Sequence, residues 1–187
     1  MEAVQTERLI LRAFELSDIE AAHREFYAKS DVWGPKPRQY VEDTVTMAML
    51  MARSPDDQPW AKRAVVLRET GQLIGQVRLG PSPNSFYRWA EEPEPGFNKP
   101  EVELSFAFGK QFWGQGYAFE ASREMIRYAF EDLGLHRLVN GTGNDNVRSI
   151  ALHKRLGFEI FPALPDGDGI VAVLNNPGLV PVASLGV

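Results

Sequence analysis

One segment restricts the fold more than any other. Val102 to Phe108 is a strand-like run. Phe119 to Leu133 places Met125, Ile126, Ala129, Phe130 and Leu133 on one helical face. Between them lies Gln111-Phe112-Trp113-Gly114-Gln115-Gly116-Tyr117-Ala118. A strand must therefore pass into a helix through a loop whose two glycines remove side chains where backbone has to approach a ligand. The start of the helix aims unpaired N–H groups at that loop, which suits a pyrophosphate. Taken alone, the glycine pair fits a plain glycine-rich turn equally well. No Gly-Lys-Ser/Thr follows, so the Walker pattern is absent, and Phe119 stands where the dinucleotide fingerprint needs its third glycine.

The flanking chain limits how this unit is packed. Arg8–Arg12 reads as a first strand, and Ser17 with Glu20 as a capping box opening a helix to about Lys29. Trp33–Arg38, with Gly34, Pro35 and Pro37, is a loop, and Tyr40–Arg53 carries Val41, Val45, Ala48 and Met49 at helical spacing. Arg63–Arg68 and Gln72–Leu79 form a hairpin across Glu69-Thr70-Gly71, with Gly71 left-handed. Pro81–Pro100 reads as a long surface insertion without a regular period. Strands follow at Arg137–Thr142, Phe158–Phe161 and Ile170–Leu174, with a helix at Ser149–Leu156 stopped by Gly157. The tail from Pro177 fits no element. The order β-α-α-β-β-β-α-β-α-β-β predicts an α/β (α+β mixed) domain, a mixed sheet with helices on both faces.

There is no internal repeat and no linker, so a single domain spanning 1–187 is expected, a length that supports a full core. The absence of Cys excludes disulfides, thiolate metal sites and a cysteine nucleophile. His23, His136 and His153 match no zinc spacing, so no metal is expected. A net charge of −5 argues against broad nucleic-acid binding, which needs clustered cations. No apolar run reaches the ~18 residues of a membrane span. The start of the chain carries Glu2 and Glu7 where a signal peptide would carry basic and then apolar residues. A cytoplasmic protein is the expectation, with no membrane partner.

Three blocks carry a family resemblance. Gln111-x-x-Gly114-x-Gly116-Tyr117-Ala118-x-Glu120-Ala121 resembles the acyl-CoA-binding motif of GNAT N-acyltransferases. It is most similar to the branch containing the ribosomal-protein N-terminal (alanine/serine) acetyltransferases. Thr6-Glu7-Arg8-Leu9-Ile10-Leu11-Arg12 with Ser17-Asp18, and Asn146-x-x-Ser149-x-x-Leu152-x-x-x-Leu156-Gly157-Phe158, resemble two further blocks of that branch in the same order. The resemblance runs from about Thr6 to Phe161. It implies a GNAT fold, a mostly antiparallel sheet of about seven strands with a splayed central pair.

It also implies an N-acetyltransferase that moves an acetyl group from acetyl-CoA to a primary amine by direct attack in a ternary complex. The backbone from Phe112 through Trp113, Gly114, Gln115, Gly116 and Tyr117 to Ala118 would hold the pyrophosphate, with Gln111 bracing the loop. Asn146 would bond near the pantetheine arm and Ser149 would lie near the sulfur, although both also read as ordinary helix caps. Glu103 stands where the branch carries a strand Glu, on the face shared with Glu101 and Ser105, and is the candidate base. A solvent-facing Glu is the other reading. His153 occupies the position where many GNAT enzymes carry a Tyr that protonates the thiolate. It could supply that proton, or sit on the exposed face beside Lys154 and Arg155.

A non-catalytic acyl-CoA-binding module and a longer acyl donor stay open at this point. The acceptor could be a small-molecule amine or a protein N-terminal amine, and a homodimer is left open.

Overall fold

The computed structural model describes residues 2–28, 34–83, 100–162 and 169–178. It resolves two compact units, Met1–Gly80 with Leu104–Met125, and Pro81–Glu103 with Ile126–Val187. The fold is mixed α/β with eight strands among the described residues, and all but one of the recorded strand pairings are antiparallel.

In the first unit β1 (Val4–Gln5), β2 (Leu9–Ala13), β3 (Arg63–Leu67) and β4 (Leu73–Pro83, as far as Gly80) are neighbours in chain order. The C-terminal half of β5 (Pro100–Phe108) completes the set. The β3–β4 hairpin forms as its residues require. Gly71 takes φ 71°, and the Gly71 N–H donates to the Leu67 carbonyl at 2.9 Å. The strand β1 escapes periodicity because it is two residues long, pairing only Val4 with Leu11 and Gln5 with Ile10. It is the eighth strand beyond the seven expected.

The helical stretch after β2 differs from the expectation. The capping contact is not Ser17 with Glu20. The Glu15 N–H donates to Asp18 Oδ2 at 2.8 Å, and Asp18 is itself held by Arg12 through bonds of 2.7 and 2.8 Å. Asp18 is buried, and Arg12 is the cation that makes that burial tolerable. A single 3₁₀ turn (Leu16–Asp18) precedes α1 (Ile19–Ala22), and a π turn (His23–Tyr27) follows it. The wider turn buries the consecutive residues Phe26 and Tyr27 together.

Helix α2 (Arg38–Arg53) begins two residues earlier than its apolar pattern suggests, because Pro37 at the N-cap presets an extended backbone ahead of it. Val41, Val45 and Ala48 on its inner face join Phe14, Phe26, Tyr27, Ala64, Val66 and Leu73 in the core of this unit. Each large apolar side chain buried there contributes roughly 1.5–3 kcal/mol.

In the second unit β6 (Arg137–Thr142) and β8 (Ile170–Asn175) are antiparallel over their whole length. β7 (Glu159–Pro162) lies on the other side of β8. Val139, Val171 and Val173 form its core cluster. The N-terminal half of β5 meets β6 in parallel, with one recorded register pair, Glu103 with Val139. Glu101, buried on β5, is ion-paired to Arg137 on β6 through both guanidinium arms.

Helix α3 (Tyr117–Arg127) starts two residues before its expected position and passes into a π turn (Tyr128–Asp132), after which Gly134 takes φ 64°. Helix α4 (Val147–Arg155) has Leu156 as its C-cap, and Gly157 follows at φ 93°. The expected insertion falls largely outside the described residues. Its first three residues belong to β4 and its last, Pro100, to β5. Trp33 and the tail beyond Gly178 also lie outside them.

Candidate active site

The glycine loop is built at the C-terminal end of β5. A 3₁₀ turn (Lys110–Phe112) leaves the strand, and the Trp113 indole donates to the Phe108 carbonyl at 2.8 Å. Gly114 and Gly116 take φ 75° and 83°, a region that an L side chain enters only with strain. A Cβ on Gly114 would meet nothing within 4 Å, whereas one on Gly116 would sit 3.3 Å from the Arg8 guanidinium. Gly114 is thus demanded by backbone conformation, and the space above it is open. The helix opens at once, its Glu120 N–H bonding to the Gly116 carbonyl at 3.0 Å. First-turn amides ahead of that bond have no helical acceptor, which is the arrangement that receives anions.

Two sets of contacts fix the loop from outside. The Gln111 side-chain amide donates to the Glu25 carboxylate, and Gln115 Nε2 donates back to the Gln111 carbonyl at 3.0 Å. On the other flank Arg8 gives its backbone N–H and its Nε to Glu120, each at 2.8 Å, and its Nη1 to the Gln115 carbonyl at 3.0 Å. Thr6 Oγ1 donates to the same carboxylate, and the Arg8 guanidinium lies 4.6 Å from the Tyr117 ring centre. Burial alone would raise the Glu120 carboxyl, but the bonds from Thr6 and Arg8 and the Arg8 charge outweigh it and hold the group below the usual range. Sequence reasoning assigned no role to Thr6, Arg8 or Glu120. The one signal was that all three fall inside the blocks carrying the family resemblance.

In the second unit Glu103 is half-buried on β5, and Asn140 on β6, itself buried, donates Nδ2 to its carboxylate at 3.3 Å. Glu103 is therefore not a freely solvated strand residue, and Asn140 gives one of its oxygens a hydrogen-bond donor. Asn146 caps α4. Its Oδ1 accepts the Ser149 N–H at 3.2 Å and its Nδ2 donates to Thr142 Oγ1 at 3.1 Å. The side chain thus performs the local capping job.

His153 is wholly buried, while Lys154 and Arg155 are exposed, so the reading that puts His153 on the solvated face is overturned. Its ring stands edge-on to Phe158 at 5.1 Å between centres, and Nδ1 is 3.4 Å from Ser149 Oγ. Burial pulls its pKa down to about 4, hydrogen bonding to Ser149 offsetting only part, so the imidazole is neutral at pH 7. Ser149, its hydrogen-bond partner, is half-buried. Among the described residues no helix is long and apolar enough to cross a membrane, and no group of three or more His, Cys, Asp or Glu could hold a metal ion.

A strand running into a glycine-pair loop and then a helix, with a strand carboxylate upstream, describes a class of acyl-transfer domain, and the comparisons agree. Residues 8–159 match the acetyltransferase (GNAT) domain. FsC-acetyl coenzyme A-N(2)-transacetylase of Aspergillus fumigatus is 35% identical. The match takes in 74% of this chain and 59% of that protein's length, so the chain spans about three-fifths of that relative. Among solved structures, an acetyltransferase from Agrobacterium tumefaciens has a TM-score of 0.73 at 26% identity, covering 94% of this chain and 95% of that one. The ribosomal-protein-S5-alanine acetyltransferase from Vibrio fischeri has a TM-score of 0.70 at 16% identity, covering 97% and 100%, and is like this chain in fold. The chain belongs to the GNAT acetyltransferase family. Members of this family use acetyl-CoA as cosubstrate and act on amines.

Proposed function

We propose that this chain transfers an acetyl group from acetyl-CoA to a primary amine by direct attack in a ternary complex. The observation that carries the reading is the loop: two left-handed glycines, open space above Gly114 and a helix start, clamped by Arg8 and Glu120. Its amides and helix start suit the pyrophosphate of coenzyme A. The amine nitrogen bonds to the acetyl carbon, the C–S bond breaks, and coenzyme A leaves as a thiolate. An amine with a pKa of ~8–10 arrives as its ammonium ion, so the nitrogen sheds one proton before it attacks and a second as the amide forms.

Glu103 is the base in this reading, oriented by Asn140. Ser149 hydrogen-bonds the departing sulfur, and His153, neutral and buried behind it, is a positioning residue that holds the hydroxyl. A thiol pKa of ~8.5 lets the thiolate take its proton from water near neutrality, so no imidazolium is needed. The chain contains no Cys, which removes the commonest acyl-enzyme nucleophile and favours one-step transfer.

The test is thiol release from acetyl-CoA across a panel of amines, with initial rates measured over both substrates. Intersecting double-reciprocal lines and one acetylated amine per thiol are expected. Parallel lines, or thiol release that ignores the amine, would overturn the direct-attack reading.

A further inference from the structure

The first unit contains a concave site whose lining lies outside the glycine loop. Tyr27, Lys36, Tyr40 and Lys62 line a cleft of about 220 Å³. That is below the ~300–1,000 Å³ of sites for drug-sized ligands and matches an amino-acid-sized group. Its polar groups converge. Lys62 Nζ donates to the Tyr27 hydroxyl at 3.3 Å, and that hydroxyl donates on to Gln76 Oε1 at 2.9 Å. The ammonium of Lys62 lies 5.9 Å from the Tyr27 ring centre and that of Lys36 5.6 Å from the Tyr40 ring centre. The Lys36 carbonyl is held by His23 Nε2 at 3.1 Å.

Two features suit this cleft to an anion. Its lining carries two cations and no carboxylate, and among the described residues no acid pairs with either lysine. Half-buried ammonium groups with no counter-ion among the described residues leave charge-assisted bonding to them unused, which an incoming carboxylate would take up. The same two charges repel a second ammonium, so the cleft disfavours a polyamine chain. Burial, with the nearby Arg78 charge, lowers Lys62 to about 8, which leaves it mostly charged at pH 7.

The cleft is mechanically tied to the glycine loop. Tyr27 closes the π turn, and two residues earlier Glu25 takes the Gln111 amide. The Glu25 carbonyl lies 2.8 Å from where a Cβ on Gly109 would stand, at the foot of the loop. Gln76, which holds the Tyr27 hydroxyl, follows Gly75, whose backbone packs against Ala107 and Phe108 at the end of β5. Both anchors of the cleft thus rest on the strand end that begins the loop.

We propose that this cleft receives a carboxylate on the acetyl acceptor, so that the substrate is an amine of the amino-acid class. Its carboxylate pairs with Lys62 and Lys36, and its adjoining carbons lie against Tyr27 and Tyr40. The inference rests on the acetyl-transfer reading and adds the acceptor class to it.

Matched acceptors test it on the wild-type protein: amino acids, each beside the amine lacking only the carboxylate and beside its methyl ester, with thiol release from acetyl-CoA followed throughout. The best amino acid is expected to exceed both counterparts by tenfold to a hundredfold in kcat/KM. Lys62→Met is expected to raise KM for the amino acid by a similar factor, with kcat and the affinity for acetyl-CoA retained and the decarboxylated amine unaffected. Decarboxylated amines as good as their amino acids in the wild type would overturn the proposal, whether or not the variant folds. An equal rise in KM for both acceptors in folded Lys62→Met would do the same. Failure of every amine to release thiol from bound acetyl-CoA overturns the acetyl-transfer reading itself, and this inference with it.

Discussion

His153 is a base kept from charging by its surroundings. An unfolded His titrates near ~6.5, while burial holds this one at about 4. As pH falls from 6.5 to 4 the unfolded chain takes up the proton and the folded chain does not, so stability present above pH 6.5 is lost across that window. A shift of this size is worth at most about 3 kcal/mol. Urea unfolding of the wild type and His153→Phe at pH 7 and pH 4.5 reads it. Other carboxylates contribute to both proteins, so the difference between them isolates His153. The wild type should lose more stability on acidification than the variant, and equal losses would show that the imidazole titrates normally. Glu103, the proposed base, makes the opposite demand, since a carboxyl accepts a proton only when charged. Glu103→Gln keeps the shape and the Asn140 contact and removes the proton acceptor, so kcat should fall on the order of a hundredfold with acetyl-CoA affinity kept. Wild-type turnover in that variant would make Glu103 a bystander.

At the level of elements, the glycine loop shows what a sequence reveals and what it hides. Gly71, Gly134 and Gly157 stand where their left-handed conformations end a strand or a helix, and periodicity placed α2, β6 and β8 to within about two residues. These features are local, so a short window contains their causes. The loop clamp is not local. Thr6 and Glu120 are 114 positions apart, and no periodicity links them. The Arg12–Asp18 pair hid in another way: Ser and Asp serve alike as caps by type, and the box forms one step earlier, between Glu15 and Asp18, with Arg12 holding Asp18. The exposed-face reading of His153 failed for a third reason, since a polar residue followed by Lys154 and Arg155 reads as surface while the helix face places it inward. The loop yields a prediction of its own. Gly114→Ala forces an L residue to φ 75° and should cost about 1–2 kcal/mol of stability. Its methyl would stand in open space, so nothing in the protein resists it. The dissociation constant for CoA, read by calorimetry, should nonetheless rise at least about tenfold, because the methyl occupies ligand space. A folded variant with unchanged affinity would move the pyrophosphate elsewhere.

At the scale of the whole molecule, charge and ligand are at odds. The chain carries a net −5 and the proposed ligand is a polyanion, so long-range attraction cannot supply the affinity. The loop amides and the helix start must supply it at short range. That distinguishes coenzyme A from other nucleotides, because a site without a Walker lysine has little to offer a triphosphate beyond its pyrophosphate. A ligand that binds only the folded chain stabilises it by mass action, by about 2.7 kcal/mol at a hundredfold excess over its dissociation constant. In a chain of this size each kcal/mol moves the melting temperature by roughly 2–4 °C, so saturating acetyl-CoA should raise it by about 5–10 °C. ATP at the same concentration should give a much smaller shift, and Gly114→Ala should lose most of the acetyl-CoA shift while keeping a melting transition of its own. A thermal scan of wild type and variant with each ligand measures all three. Equal shifts from ATP and acetyl-CoA would mean that the loop binds phosphate without regard to the rest of the ligand. The absence of any shift with acetyl-CoA would remove the cosubstrate on which acetyl transfer by this chain depends.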